Sequence, residues 1–356
     1  MMTVTLPAGL RLERFAFDKM TQADFEAFTR FANEMRRENL PDSPPRSVAY
    51  SVNNLKSLEG FDTIDFRLWF VRQDEAYVAQ CYTDVSLEDD NPHLMQASIE
   101  VVPSYRRRGI ATALLHLPLK TASELDRTLV IGTTNSRTLA GTKFMKTLGA
   151  KAGLEGKVNQ LILAEVPAGL VETWLKEAEV RAADYELGLW DGPIPDADLT
   201  AAAEMMQVMN TAPRDELDME DEAVTPERVR EFERYNKERG VTRWLYYVRH
   251  KATGELAGYT EVALNPEEPE TAWQGDTGVL PAHRGHGLGR LLKASMIHKI
   301  RNERPEVKRI RTGNADSNEH MLAINHALGF KPYHSWTDWQ VDVEAIKTYL
   351  SKKGTR

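Results

Sequence analysis

The sequence predicts an α/β fold with mixed sheets, arranged as two similar domains in tandem. Three observations carry this prediction: the length, a motif that occurs twice, and a repeated order of strands and helices. The chain has 356 residues, whereas a single domain usually has about 100–200. Hydrophobic residues make up 42% and charged residues 28% of the chain, a composition typical of globular proteins.

The repeated motif has the form V-x-P-x-x-R-x-x-G-x-(A/G). It begins at Val101 and again at Val279, so that Arg106 corresponds to Arg284. A single short repeat can arise by chance, and its neighbourhood therefore has to be compared as well.

Two further landmarks repeat at nearly the same separation. Gly149 and Gly329 each follow a leucine at the end of a helical pattern, and Asn33 and Asn210 each begin an N-x-x-x-R pattern. A chance repeat would not keep neighbouring features in step, so duplication explains this order best.

The second copy has the clearer pattern of elements. Aromatic and β-branched residues predict strands at 243–250, 255–264, 271–280, 308–312 and 331–343. Helical spacing and capping residues predict helices near 196–210 and 225–239, from 288 to the stop at Pro305, and from Asp316 or Ser317 to Gly329.

The first copy has the same order of elements. Strands are predicted near 10–17, 64–72, 75–87, 93–103, 127–133 and 157–166. A helix within 167–184 joins the halves. The expected organisation is therefore a first domain at 1–166, a connecting helix at 167–184 and a second domain at 185–356.

Each motif lies where a strand feeds a glycine-rich turn that opens a helix. The first N–H groups of a helix have no intrahelical acceptor and lie at the positive end of the helix dipole. Glycine lets this backbone approach a bulky anion closely. Basic side chains flank both turns: Arg284 and His286 in one, and Arg106 to Arg108 in the other. The pattern predicts a phosphate-binding loop.

Other phosphate motifs fit less well. A Walker loop ends in Gly-Lys-Ser/Thr, which is absent from the sequence. A dinucleotide-binding fingerprint places its glycines directly after the strand, with a ribose-binding acid about 20 residues later. In this chain the segment 281–284 intervenes, and Glu306 follows a proline after the helix instead of ending a strand.

The motif R-x-x-G-x-(G/A) resembles the acyl-CoA motif of the GNAT superfamily, the GCN5-related N-acetyltransferases. Residues 318–330 also resemble the second motif of that family. The resemblance covers almost the whole chain as a tandem pair, an arrangement similar to that of mycothiol synthase-type double-domain acetyltransferases. It implies two tandem GNAT-like acyl-CoA N-acyltransferase domains.

The resemblance also implies which residues bind acetyl-CoA. In the second copy they are Gly278, Val279 and Leu280 for the pantetheine arm and the thioester, Arg284, Gly285, His286, Gly287, Leu288, Gly289 and Arg290 for the pyrophosphate, and Asn318 for the coenzyme arm. In the first copy they are Val101, Val102, Arg106, Arg107, Arg108, Gly109, Ile110 and Ala111.

The catalytic positions depart from the family pattern. The tyrosine that protonates the leaving thiolate in the family corresponds here to Asn325, and to Met145 in the first copy. The strand glutamate of mycothiol synthase-like enzymes corresponds to Trp273. The candidate general bases are therefore two nearby acids, Glu261 and Asp276.

The two copies differ in how well they keep the motifs. The first has Ala111 in place of the last glycine, Thr138 in place of Asn318, and Pro118 inside the helix that follows the loop. Proline removes a helical hydrogen bond and kinks the helix. We expect the second domain to be catalytic and the first to be a degenerate copy that binds coenzyme or acts as a scaffold.

The expected activity is transfer of an acetyl group from acetyl-CoA to the amine of a small molecule. Two alternatives remain: a non-catalytic acyl-CoA-binding or regulatory module, and a transferase that uses another acyl-CoA. The acidic segment 215–222, expected near the acceptor cleft of the second domain, favours a cationic acceptor.

Composition limits the other partners. A net charge of −8 argues against nucleic acid, and no apolar run approaches a membrane span. Cys81 is the only cysteine, and the histidines have no metal-ligand spacing, so we expect a cytoplasmic protein without a bound metal. A homodimer is compatible with this class of fold.

Overall fold

A computed structural model describes residues 4–354 of the chain. The strands are β1 (Arg11–Arg14), β2 (Ile64–Gln73), β3 (Ala76–Ser86), β4 (Leu94–Val101), β5 (Leu129–Asn135), β6 (Lys151–Ile162), β7 (Tyr185–Asp191), β8 (Thr242–His250), β9 (Leu256–Leu264), β10 (Thr271–Val279), β11 (Arg309–Ala315) and β12 (Lys331–Asp342). The α-helices are α1 (Gln22–Asn39), α2 (Val48–Ser57), α3 (Ile110–Leu114), α4 (His116–Glu124), α5 (Leu139–Leu148), α6 (Leu170–Arg181), α7 (Asp196–Met206), α8 (Pro226–Glu238), α9 (Leu288–Glu303), α10 (Glu319–Leu328) and α11 (Val343–Gly354).

The chain forms two compact units, and their bounds differ from the expected domains. The first unit contains the residues up to Glu155, the segment Arg214–Asp221 and the residues from Trp336 onward. The second contains Gly156–Pro213 and Glu222–Ser335. The expected ranges had placed 156–166 in the first domain and 336–356 in the second.

The difference comes from an exchange of the last strand of each repeat. Within the first unit, β12 pairs antiparallel with β5, from Trp336 opposite Asn135 to Asp342 opposite Leu129. Within the second, β6 pairs antiparallel with β11. The two strands have similar patterns and follow equivalent helices, so the sequence order alone does not show which copy each strand completes.

The sheet of the second unit has the order β6-β11-β10-β9-β8-β7. Only the pair β10–β11 is parallel. One face packs on α6 and α9 through buried residues that include Trp174, Ile297 and Ile300. The other packs on α7 and α8 through residues that include Met205, Val229 and Tyr259. The strand β7, which the sequence pattern did not predict, forms the far edge.

The first unit repeats this architecture in the order β1-β2-β3-β4-β5-β12, with β4–β5 as the parallel pair. The helix after its loop is divided into α3 and α4 at Leu115. This confirms the predicted disturbance, because Pro118 lacks an N–H and its ring excludes the carbonyl four residues earlier, that of Leu114. The C-terminal α11, which was not predicted, packs on α4 and α5.

The segment 167–184 contains α6, as predicted, and this helix belongs to the second unit. Val171 and Trp174 of α6 are buried in the core of that unit, against residues of α9 such as Ile297. The segment is therefore part of a packed layer.

Candidate active site

The two parallel strands of the second unit separate to form a gap. β10 pairs with β11 only from Thr271 to Trp273, opposite Arg309 to Arg311. Beyond that point β11 continues along β6 as far as Ala315, and β10 continues along β9 as far as Val279. The facing edges of β10 and β11 therefore have backbone groups without a strand partner.

A β-bulge lies where the strands separate. The register of β10 against β9 shifts by one residue between Gln274 and Thr277, so Gly275 and Asp276 form the irregular stretch. A bulge bends its strand and re-aims the side chains. A Cβ on Gly275 would lie 2.6 Å from Oε1 of Glu261, so glycine leaves room for that carboxylate.

The hydrogen-bond alternation of β10 selects which N–H groups face the gap. The N–H of Leu280 donates to the carbonyl of Ala257 over 2.9 Å, and is therefore used within the sheet. Because antiparallel partners alternate, Val279 directs its N–H away from β9 and towards the gap, and so does Thr277. Of the two expected strand donors, Val279 is free and Leu280 is not.

The glycine loop leads directly from β10 into α9. Gly285 and Gly287 have φ angles of 89° and 75°, a region that favours glycine. The first helical bond runs from the N–H of Leu291 to the carbonyl of Gly287, so Leu288, Gly289 and Arg290 have N–H groups without an intrahelical acceptor. No atom lies within 4 Å of a Cβ added at Gly285. This open, donor-lined turn fits a phosphate group.

The arginine of each motif holds its own loop. Nε of Arg284 donates to the Val279 carbonyl over 3.0 Å, and Nη2 donates to the Thr211 hydroxyl over 3.0 Å. Arg106 likewise donates to the Val101 carbonyl over 2.9 Å. These guanidinium groups were expected to flank the anion, and the structure gives them intramolecular acceptors.

Other cations surround the turn of the second unit. Arg181, at the end of α6, donates to the Gly285 carbonyl over 3.2 Å, and its guanidinium lies 3.7 Å from the position of a Cβ on Gly287. His286 and Arg290 are exposed beside it. Sequence reasoning missed Arg181 because it lies outside the motif.

Two candidate bases lie on the face of the sheet that packs on α7 and α8, in different surroundings. Both Nε and Nη2 of Arg243 contact Oε2 of Glu261, so that carboxylate is neutralised by an ion pair. Asp276 accepts from the Tyr259 hydroxyl over 3.1 Å and keeps access to solvent. Desolvation by the surrounding protein, followed by the charge of Glu261, raises the pKa of Asp276 to about 6.

Asn325 occupies a different place from the one expected for a group that contacts the coenzyme sulfur. It is fully buried. Its Oδ1 accepts from Nζ of Lys293 over 3.0 Å, and its Nδ2 donates to Oδ1 of Asn314 over 2.9 Å. Its amide is therefore engaged inside the protein, on the face that packs on α9 and α10.

Asn318 is the N-cap of α10. Its Oδ1 accepts from the N–H of Met321 over 3.3 Å, as expected for a helix-capping asparagine. Its half-buried side chain keeps an amide NH2 that the cap does not use. The expected contact with the coenzyme arm stays a prediction.

The loop of the first unit keeps the same backbone conformation with other residues. Gly109 has a φ of 84°, like Gly287, and Arg107 has a φ of 64° at the position of Gly285. The N–H of Ala113 donates to the Gly109 carbonyl, so three N–H groups before it have no intrahelical acceptor. An arginine in the left-handed region is costly, so the loop conformation is kept against that cost.

The rest of the first unit differs from the second. The register of β4 against β3 shows no shift, so the bulge is missing. Glu100 replaces Gly278 and hydrogen-bonds Gln80, and burial raises the pKa of Glu100. Tyr349 of α11 lies 3.4 Å from the Thr112 hydroxyl, and its ring packs on Phe144 with a centroid separation of 6.4 Å.

The acidic segment does not lie where the sequence reasoning placed it. Residues 214–221 belong to the first unit. Leu217 and Met219 pack on Leu94, Leu129 and Ile131 of that unit. The segment therefore gives no support for a cationic acceptor at the second unit.

Within residues 4–354, no cluster of three or more His, Cys, Asp or Glu side chains is arranged to hold a metal ion. No helix of this part of the chain is long and apolar enough to cross a membrane.

Lys293, in the core, and Asn314, at the gap, are polar residues that were not among the predicted site residues. Lys293 had a detectable signal, because it is the one charged residue in a stripe at helical spacing with Gly289, Met296 and Ile300. Asn314 had none, since its importance depends on where β11 leaves β10.

Comparisons with known proteins agree with this architecture. Residues 205–330 match the sequence model of the acetyltransferase (GNAT) family. No curated protein matches the chain. A solved tandem GNAT protein from the clavulanic acid biosynthesis pathway is 25% identical, with a TM-score of 0.74, over 94% of this chain and 98% of that one.

Two more distant structures show the same fold. A GCN5-related N-acetyltransferase from Sphaerobacter thermophilus is 15% identical, with a TM-score of 0.60, over 95% of this chain and 97% of that one. A putative acetyltransferase from Pyrococcus horikoshii is 16% identical, with a TM-score of 0.55, over 95% and 91%. Residues 205–330 thus match the GNAT acetyltransferase family, and the chain as a whole has the tandem GNAT fold.

Proposed function

We propose that this protein transfers an acetyl group from acetyl-CoA to the amine of a small molecule, and that the second unit performs the reaction. The observation that carries the proposal is the separation of β10 and β11 beside the free N–H groups of α9. A gap of this kind accommodates an extended pantetheine arm, with its pyrophosphate at the glycine turn.

The backbone and nearby cations supply the binding interactions. The N–H groups of Leu288, Gly289 and Arg290 donate to the pyrophosphate oxygens, and Arg181 adds positive charge. A bound acetyl-CoA supplies an activated acyl group on sulfur. The N–H of Val279 donates to the thioester oxygen, where negative charge develops during attack.

Asp276 is the better of the two candidate bases. The carboxylate of Glu261 is engaged in an ion pair with Arg243. Asp276 faces solvent, and its pKa of about 6 leaves it ionised at neutral pH while keeping it a stronger base than an ordinary aspartate. It accepts the proton of the attacking amine directly or through one water.

The first unit keeps the loop but lacks the bulge and the acid of the bulge. We propose that it serves as a scaffold or as a second coenzyme site without turnover. Tyr349 contacts residues on both helices that border the loop, which favours the scaffold.

The test is release of CoA thiol from acetyl-CoA in the presence of a broad panel of amines. The proposal predicts release with at least one amine, and a loss of about 100-fold in Asp276→Asn, within the range for loss of a general base. Release that is independent of any amine would contradict it.

A second candidate function is a non-catalytic acyl-CoA-binding module. The observation that favours it is the buried, fully engaged amide of Asn325 at the position of the family tyrosine. Saturable binding of acetyl-CoA without thiol release across the amine panel would establish this alternative. Thiol release from longer acyl-CoA donors in the same panel, without release from acetyl-CoA, would indicate a transferase of another acyl group.

A further inference from the structure

One lysine of the second unit is buried without a carboxylate partner. The side chain of Lys293 is 2% exposed. It donates to Asn325, and no acid of residues 4–354 forms an ion pair with it. Burial lowers its pKa to about 7. Burying an amine without a counter-ion is costly, so the hydrogen bond from Lys293 to Asn325 is the interaction that offsets part of this cost.

The hydrogen bonds that start at Lys293 run in one direction. A protonated lysine has donors only, so Asn325 must turn its Oδ1 towards Nζ, which is 3.0 Å away. The NH2 of Asn325 then points at Oδ1 of Asn314, 2.9 Å away. Asn159 lies 3.4 Å from the same oxygen and donates its own NH2 to it. The orientation of the Asn314 amide is therefore fixed from inside the core.

The chain of amides ends at the gap. Asn314 lies on β11 three residues beyond Arg311, the last residue that pairs with β10. It is half-buried, and its Oδ1 is occupied, so its NH2 is the group left to donate. No acceptor for that NH2 is found in residues 4–354. The orientation set by Lys293 therefore presents a hydrogen-bond donor at the edge of the gap.

The donor and the candidate base approach the gap from opposite faces of the sheet. Asn314 bonds to Asn325 of α10, so it lies on the face covered by α9 and α10. Asp276 bonds to Tyr259, which packs among residues of α7 and α8. The attacking amine adds to one face of the carbonyl plane whereas the sulfur lies in that plane, so the two groups are reached from different directions, and this arrangement serves both.

We propose that Asn314 donates a hydrogen bond to the departing sulfur of the acyl donor, and that Lys293 and Asn325 are positioning residues that fix and polarise this donor. The proposal rests on the proposed function, because it places the thioester in the same gap. It assigns to an amide chain the support that a tyrosine hydroxyl gives in the resembling family.

In the acyl-transfer step, the amine nitrogen bonds to the carbonyl carbon, and its proton goes to Asp276. The carbon–sulfur bond breaks with its electron pair on sulfur, which leaves as a thiolate. Asn314 donates its N–H to that thiolate without giving up the proton, and solvent later protonates the sulfur. Lys293 and Asn325 behind it hold the Asn314 amide in the orientation that presents this donor.

The test measures the pKa of the thiol of CoA bound to the full-length protein, from the ultraviolet absorbance of the thiolate as pH is varied. A donor that stabilises the thiolate lowers this pKa relative to free CoA. We expect Lys293→Met and Asn314→Ala each to raise it by about one unit towards the free value. Any CoA bound at the loop of the first unit contributes equally to the absorbance of the wild-type protein and of these variants, because all of them keep that loop.

Lys299→Met is the matched control. Lys299 is a second buried lysine of α9, and it pairs with Glu303 outside the amide chain, so its removal leaves the thiol pKa unchanged. Asn314→Ala changes a half-exposed side chain and keeps the test available if Lys293→Met does not fold.

The outcomes separate this inference from the proposed function. If CoA does not bind the wild-type protein, both the proposed function and this inference are contradicted. Binding with a thiol pKa that neither Lys293→Met nor Asn314→Ala changes overturns the inference alone and leaves the proposed function standing.

Discussion

Asp276 and Glu261 are carboxylates on the same face of one sheet, and their neighbours give them different chemistry. Arg243 holds Glu261 in an ion pair, whereas Asp276 accepts a hydrogen bond from the neutral Tyr259 hydroxyl. The spacing in the sequence limited the candidates for the general base to these two residues. It did not separate them, because the bulge at Gly275 and the position of Arg243 are set by strand pairing.

The pH dependence of the reaction tests Asp276. Its pKa is raised to about 6, and a base must be deprotonated to act, so kcat/KM rises with pH through an apparent pKa near 6. The pH–rate profile of Asp276→Asn should lack this limb. Asp198→Asn, which removes a surface ion pair with Arg249, should keep it; loss of the limb in both variants would contradict the assignment.

The same shift has a consequence for stability. The pKa of Asp276 is higher in the folded protein than the ordinary value of 3.8, so the folded state binds more protons between about pH 4 and 6. This residue therefore contributes a loss of stability as pH rises through that window. The direction is opposite to that of an aspartate held in a salt bridge.

Arg107 tests whether the first loop keeps a strained conformation. Its φ of 64° lies in the left-handed region, which costs a residue with a Cβ roughly 1 kcal/mol compared with glycine. Arg107→Gly should therefore raise the free energy of unfolding by about 0.5–1 kcal/mol, as measured by denaturant titration.

Arg107→Ala is the control, because it removes the guanidinium and keeps the Cβ. We expect no comparable gain from it. An equal gain in the two variants would assign the cost to the charge of the side chain instead of the backbone.

At the scale of elements, spacing predicted the strand, turn and helix of each loop because the motif itself contains the turn residues. It also predicted the break near Pro118. It did not predict the bulge of β10, the free N–H of Val279 or the place of Asn325. Those features depend on which strands pair and where they separate, and no local pattern in the sequence records this.

The close approach of the turn Gln207–Thr211 to β10 gives a test at this scale. A Cβ on Gly278 would lie 2.4 Å from Cγ1 of Val208, and overpacking of this kind costs about 1–3 kcal/mol. Gly278→Ala should therefore lower the free energy of unfolding by that amount. Val208→Ala in the same chain should recover part of the loss, and a strictly additive double mutant would contradict the contact.

At the scale of the whole molecule, the tandem arrangement was predictable from the repeat, and the exchange of strands was not. β6 and β12 occupy the same place in the two repeats, so either could complete either sheet as far as the sequence shows. Pairing of β12 with β5 brings α11 onto α4 and α5 of the first unit. The predicted bounds of 166 and 185 therefore cut through both units.

Because each unit contains segments from both repeats, we predict that neither half of the chain folds alone. A chain of residues 1–166 lacks β12 and leaves the edge of β5 unpaired, with the apolar residues that α11 covers exposed. We expect no cooperative thermal transition from this fragment in circular dichroism. Mixing it with residues 167–356 should restore the transition, whereas a cooperative transition of 1–166 that residues 167–356 leave unchanged would contradict this expectation.

The central claim is that the glycine turn at the start of α9 binds acetyl-CoA. The direct measurement is titration calorimetry of acetyl-CoA with the wild-type protein, Gly287→Glu and Gly254→Glu. Gly254 is the matched control, because it has the same φ of 75° in a turn that is distant in sequence. We predict saturable binding that Gly287→Glu weakens by at least about 100-fold, roughly 3 kcal/mol, and that Gly254→Glu leaves unchanged. Absence of saturable binding to the wild-type protein, or binding that Gly287→Glu does not weaken, would contradict the account.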